Sequence, residues 1–273
     1  MIIDAHAHYT TTPPGVRAYC GLQISQLGAP AKGRMSVSDD EIRMSLEQAQ
    51  IPLLRERGVD LVLFSPEASQ MGHHFGSALI SRYWTEHCND LIARVCQLYP
   101  EYFVGVCQLP QSPGVSPANC IAELDRCINE LGFVACNLNP DPTGGYWTDP
   151  PLTNRYWYPL FEKLVELNVP AMIHASASCN PNFQLTGGHY IAADTTVFMQ
   201  FLETPQLFRD FPTLRFVIPH GGRGDPVPLG TIPRDGACAG PRRTEGTATR
   251  ERLLRHLCLL PAWHGAPRAR GRS

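Results

Sequence analysis

The chain has 273 residues, enough for one large α/β barrel or two ordinary domains around a sizeable core. Its 23 basic and 25 acidic residues leave a net charge of -2, which makes no case for nucleic acid as a partner. The start carries no basic segment followed by a continuous apolar run, and no stretch reaches the roughly 18 apolar residues of a membrane span, so a soluble, cytoplasmic protein without a membrane partner is expected.

The first element is a strand ending in "DAHAHYT". Side chains two apart on a strand face the same way, so His6 and His8 share one side of it. The stretch "SDDEIRMSLEQAQIPLLRERG" predicts a helix, with Ser38 as cap, acids in the first turn, helical apolar spacing and Gly58 as the stop. A short buried strand, "VDLVLFSP", follows. The unit then recurs: a helix near 78–99 before "YFVGVCQLP", one near 116–131 before "GFVACNLNP", one near 153–167 before "VPAMIHAS", and helices near 191–211 before "LRFVIPHGG". Six strands separated by helices imply a parallel sheet, for which closure into a barrel is the natural solution. A complete barrel needs eight strands; six are readable.

Ten cysteines are scattered through the chain, several in apolar runs (Cys96, Cys107, Cys120, Cys127, Cys136) and with no C-x-x-C pair. They are expected to be reduced structural thiols.

In a barrel, His6 and His8 stand at the carboxyl end of the first strand, where such folds place their chemistry. His174 ends the fifth strand and His220 the sixth. A histidine at one strand end is commonly a satisfied polar residue; the signal is four of ten histidines at strand-to-loop junctions. Imidazole suits zinc or another first-row ion, and a catalytic zinc site keeps three protein ligands and one open position. His6, His8 and His174 would be the ligands, with His220 beside the metal as proton carrier. His73 and His74, after the second strand, could also face the pocket, but the preferred reading is of solvent-exposed loop residues.

The H-x-H on strand one, the histidines ending strands five and six, and the (βα)8 order resemble the amidohydrolase superfamily, in the branch that holds metal-dependent decarboxylases and hydratases. The fold class expected is therefore an α/β (βα)8 TIM barrel of amidohydrolase type. Binuclear members carry a bridging lysine on strand four, and "FVACNLNP" has none, so one metal ion, Zn2+, is implied. The stretches "DAHAHYTTTPP", "FSPEASQMGHH" and "HASASCNPNFQLTGGHYIAADTTVFMQFL" are similar to the hydratases of that branch, over residues 1–222. That similarity implies a lyase of bacterial aromatic-compound breakdown that adds water to a C=C bond of a small-molecule keto-tricarboxylate. Metal-dependent decarboxylation is the enzymatic alternative. Asn180 and Tyr190, in the loop after strand five, are the candidate substrate-binding residues. A homo-oligomer stays open.

From Arg223 the text changes character. Residues 223–273 hold ten arginines, no lysine, no Phe and no Tyr, with 10 basic residues to 4 acidic, whereas residues 1–222 hold 13 to 21. A domain boundary seldom falls straight after an active-site histidine inside a barrel. Reverse-translated and read one base later, the tail admits codons that encode a helix-like segment and a strand, "NVFFDTCVY". The expectation is a barrel truncated after strand six by a frameshift just after Gly222, followed by a disordered out-of-frame tail over 223–273. On this account Asp225, Asp235 and His256 are not site residues, the carboxylate that the family places on strand eight is missing, and an inactive remnant is a further alternative.

Overall fold

The computed structural model describes residues 1–67, 70–182, 186–220 and 257–259. The boundary after Gly222 lies outside them, as do Asp225, Asp235 and His256.

The expected alternation is present. Strand β1 (Ile3–His8) is followed by helix α1 (Pro14–Ser25), then α2 (Asp39–Ser45) and α3 (Ile51–Arg57), and strand β2 (Leu61–Ser65). Helix α4 (Ala78–Leu98) leads to β3 (Phe103–Gln108), α5 (Ile121–Asn129) to β4 (Ala135–Leu138), and α6 (Tyr158–Glu166) to β5 (Ala171–Ile173). Helices α7 (Thr186–Glu203) and α8 (Gln206–Asp210) lead to β6 (Phe216–Ile218). Each strand pairs in parallel with the next in sequence, as repeated right-handed crossovers require, so the sheet curls and all strand carboxyl ends face one way.

Local chemistry accounts for the elements. Ser38 and Glu41 form a reciprocal capping box at the start of α2, and Gly58 closes α3 in the left-handed conformation at φ 64°, as the sequence predicts. The predicted single helix is interrupted by a wide turn at Leu46–Gln50, where the Ile51 N–H reaches back to Leu46 O. Pro52 supplies the reason: lacking an N–H, it cannot bond the carbonyl four residues back. Helix α1 is not among the elements read from the sequence. It opens on Pro14, whose ring suits a first turn, and buries Val16, Tyr19 and Gln23 along one face.

Between sheet and helices lies a continuous core that includes Phe64, Trp84, Trp157, Phe161, Phe201 and Phe216. Eight cysteines, from Cys20 to Cys179, are free, and Cys107, Cys120, Cys127 and Cys136 are buried within the core, as expected of structural thiols. Among the described residues no helix is long and apolar enough to cross a membrane.

Beyond the six expected strands, Leu257–Leu259 forms β7, which pairs in parallel with β6 through Phe216 and Leu257. The sheet order β1 to β7 leaves β1 at one end, with Ile3 49% exposed. A closed barrel would cover that edge.

Candidate metal centre and the polar network behind it

Four of the sequence-predicted residues meet at the carboxyl ends of the strands. The bulge between Asp4 and Ala7 re-aims the end of β1 without separating its two histidines, whose rings lie edge to face at 4.7 Å. The His174 ring is 5.1 Å from His6 and 4.6 Å from His8, and one nitrogen from each of the three residues falls within 4.8 Å of the others. The His220 ring lies 4.9 Å from His6 and 6.2 Å from His174.

The donor set fits a divalent ion. His8 gives its Nδ1–H to Ser65 Oγ at 2.7 Å and to Pro66 O at 3.3 Å, and His174 gives its own to Ala175 O at 2.8 Å. Each bond fixes the tautomer that leaves a bare Nε2, the outer-shell pattern of metal-ligating histidines. His6 Nε2 and His8 Nε2 face each other at 2.9 Å, a few tenths short of the roughly 3.3 Å that two nitrogens span around a tetrahedral zinc. Burial, helped by the neighbouring rings, lowers His6 to about 3, and burial lowers His8 to about 4 and His174 well below its usual range. All three rings are therefore neutral near pH 7, the form that binds metal.

Tyr190 and His220 both adjoin this cluster. Tyr190, on α7, lies parallel to the His220 ring, with 7° between the planes and 6.5 Å between centroids, and meets His174 edge-on at 4.9 Å. His220 holds a left-handed backbone at φ 54°, which few non-glycine residues adopt. Asn180 has its side chain committed within the loops: Nδ2 donates to Gly145 O at 2.7 Å and Oδ1 accepts the Asn182 N–H. A cavity of about 770 Å³ opens beside the ends of β1 and β2, lined among others by Thr12, Arg17, Glu67 and Gln70.

Sequence reasoning missed two features. One is Asp194, 1% exposed on α7, whose Oδ2 accepts the His220 Nδ1–H at 2.7 Å; burial raises its carboxyl to about 6. Its signal was a lone acid in the apolar stripe Ala193, Val197 and Phe201. The other is a buried network tying the loops after β2, β4 and β5 together. His189 bridges Ser176 O at 3.1 Å and Asp141 Oδ2 at 3.2 Å, with both side chains fully buried in the pair. Burial pushes Asp141 up, but bonds from His189, Thr143 and the Gly145 N–H outweigh it and hold the carboxyl below its usual range.

The expectation that His73 is solvent-exposed is corrected: it is 5% exposed and belongs to this network, and His74 is half-buried. His73 Nε2–H donates to Leu109 O at 3.1 Å, and Nδ1 accepts from Asn139 Nδ2 at 2.9 Å. Asn139 cannot flip to suit a protonated ring, because its Oδ1 accepts the Asp141 N–H. Burial accordingly lowers His73 to about 4. A histidine depressed in the folded state stabilises fully above its unfolded value, and that stability is lost as pH falls toward the folded one. Between pH 7 and about 5, His73 should forfeit about 2 kcal/mol. Unfolding titrations of the metal-free protein should show His73→Gln less acid-sensitive than wild type by that amount; equal pH slopes would refute the assignment.

Comparison with known proteins then places this geometry. The amidohydrolase family profile matches residues 3–242, running past Gly222. The chain belongs to the amidohydrolase family. It is 54% identical over 232 residues to a 2-keto-4-carboxy-3-hexenedioate hydratase from a Sphingobium strain, covering 84% of this chain and 68% of that protein. A crystal structure of 4-oxalomesaconate hydratase from Rhodopseudomonas palustris superposes with a TM-score of 0.73 at 50% identity, over 81% of this chain and 64% of that one. The chain thus spans about two thirds of the length of these hydratases. A dihydroxybenzoic acid decarboxylase from a Polaromonas species, solved with bound manganese, shares the fold at a TM-score of 0.52 and 20% identity, over 82% of this chain and 66% of that one. The amidohydrolase's ancestry is that of a metal-dependent hydro-lyase, and its parallel, curled sheet is that of the family barrel.

Proposed function

We propose that this amidohydrolase is, by design of its site, a zinc-dependent hydratase of a keto-tricarboxylate, 4-oxalomesaconate in its conjugated keto form, from bacterial meta-cleavage breakdown of gallate and protocatechuate in the cytoplasm. The observation that carries this reading is the convergence of three neutral imidazoles at the strand ends, with a fourth, His220, outside the set. His6, His8 and His174 would hold the ion. When bound, it supplies Lewis acidity and a means of ionising water near neutral pH.

The chain's own residues perform the remaining work. In the hydration, water oxygen bonds to the carbon β to the keto group while the C=C electron pair moves toward the α carbon and the keto oxygen. The proton that water gives up passes through His220 Nε2 to the α carbon, a transfer suited to an imidazole. Tyr190, beside both His174 and His220, borders the substrate's reacting carbons, and Asn180 stands in the loop after β5. Arg17, in the cavity beside β1, offers the positive charge that a tricarboxylate requires.

The same reading takes residues 223–273 as an out-of-frame translation, on the arginine-rich, lysine-free composition of that stretch. The test is to incubate the protein with the conjugated keto acid, with and without added zinc. Loss of the enone absorbance with uptake of water, abolished by a chelator, is the expected result. Release of carbon dioxide would replace hydration with decarboxylation, and an inert protein that nevertheless binds zinc would mark a remnant.

A further inference from the structure

The face of α7 that packs on the sheet is apolar except where it reaches the strand ends. Ala193, Val197 and Phe201 are fully buried, and Phe201 stacks on Phe216 of β6 at 4.6 Å. This anchors the helix to the strand that ends near His220. One turn apart on the same helix stand Tyr190 and Asp194, at the spacing that puts side chains on one face. The Tyr190 ring lies parallel to the His220 ring, 6.5 Å between centroids, and Asp194 takes the His220 Nδ1–H at 2.7 Å. The ring is therefore held in its rotation by Asp194, at a backbone conformation that is costly without such restraint.

We infer that Asp194 is the positioning residue for His220: by accepting the Nδ1–H it fixes the imidazole's tautomer and leaves Nε2 bare on the side of the His6, His8 and His174 cluster. The need for it is chemical. A histidine free to choose its tautomer presents an N–H to the reacting centre part of the time, and in that form it cannot accept a proton there. Among the described residues His220 Nε2 makes no hydrogen bond, so there the Asp194 contact is the one that selects the tautomer. The second oxygen of Asp194, Oδ1, is buried without a hydrogen-bond partner. The carboxylate has thus been taken out of water for one contact, which a merely structural aspartate would not require. This inference rests on the proposed role of His220 in proton transfer, but its geometry can be tested without turnover.

The experiment is nitrogen-15 NMR of histidine-labelled, metal-free protein near pH 8, with the His220 signals assigned by their absence in His220→Gln. The expected result is a protonated Nδ1 and a bare Nε2 in the wild type, shifting to a mixture or to the Nε2–H form in Asp194→Ala. A wild-type His220 in the Nε2–H form overturns the inference, whether or not the protein turns over substrate. Where turnover is measured, Asp194→Ala should lower kcat by about 10²-fold or more with KM little changed. An unchanged kcat in a folded Asp194→Ala variant also overturns it. The expected tautomer in a protein that performs no hydration would refute the functional reading and leave the positioning contact intact.

Discussion

His174→Ala is expected to abolish retention of a divalent ion while leaving the fold in place. The residue supplies one of three nitrogens that lie within 4.8 Å of one another, and two imidazoles do not make a site that survives dialysis. The loss in zinc affinity should exceed about 100-fold, since removing only an outer partner of a ligating histidine costs about 10-fold to 100-fold. Ser65→Ala provides that lesser case: Ser65 Oγ holds His8 Nδ1, and its removal should weaken zinc without eliminating it. The fold should survive both changes, because α4, β3 and α6 build the core around Trp84 and Trp157, away from the site. Elemental analysis after dialysis, with circular dichroism as the control for folding, decides the matter. Equal zinc content in His174→Ala and wild type would remove the ion from this cluster.

The second large effect concerns the open edge of the sheet. On the proposal that residues 223–273 are out of frame, a gene returned to frame just after Gly222 is expected to give a protein with a higher melting temperature and faster hydratase turnover than the given chain. Among the described residues β1 ends the sheet, with Ile3 49% exposed and Ile2 55% exposed. Further strands that close the barrel would bury that edge, satisfy its backbone groups and supply the carboxylate that the family places on strand eight. Several kcal/mol of added burial would raise the melting temperature by about 10 °C or more at this chain length. Sequencing both strands of the gene from the His220 codon onward is the companion measurement. A frame that reads as given, together with a restored chain that gains neither stability nor turnover, would show that residues 223–273 are not an out-of-frame tail.

Much of this could be read from the residues because the signals were local. Ser38, Glu41 and Gly58 mark helix ends through bonds to their own neighbours, so their roles hold whatever the rest of the chain does. His6 and His8 share a face because strand geometry alternates every residue. Helix α1 escaped notice because its apolar face is interrupted by Gln23, a polar side chain buried only because Ala31 O and Lys32 O accept its hydrogens. His73 was misplaced for a similar reason: a loop histidine next to glycine carries no mark of burial, and its partners Leu109 and Asn139 belong to the ends of two other strands.

By itself, then, the sequence determined the alternation of helix and strand, the parallel order, and the presence of histidines at the ends of strands one, five and six. Periodicity, caps and strand-end position are properties of a few consecutive residues. Only the tertiary structure decided that His174 reaches His6 and His8, that Asp194 meets His220 across 26 positions, and that His73 is sealed beneath the loops. Such contacts depend on how the sheet curls and how α7 docks against β6, and those follow from packing the whole core at once.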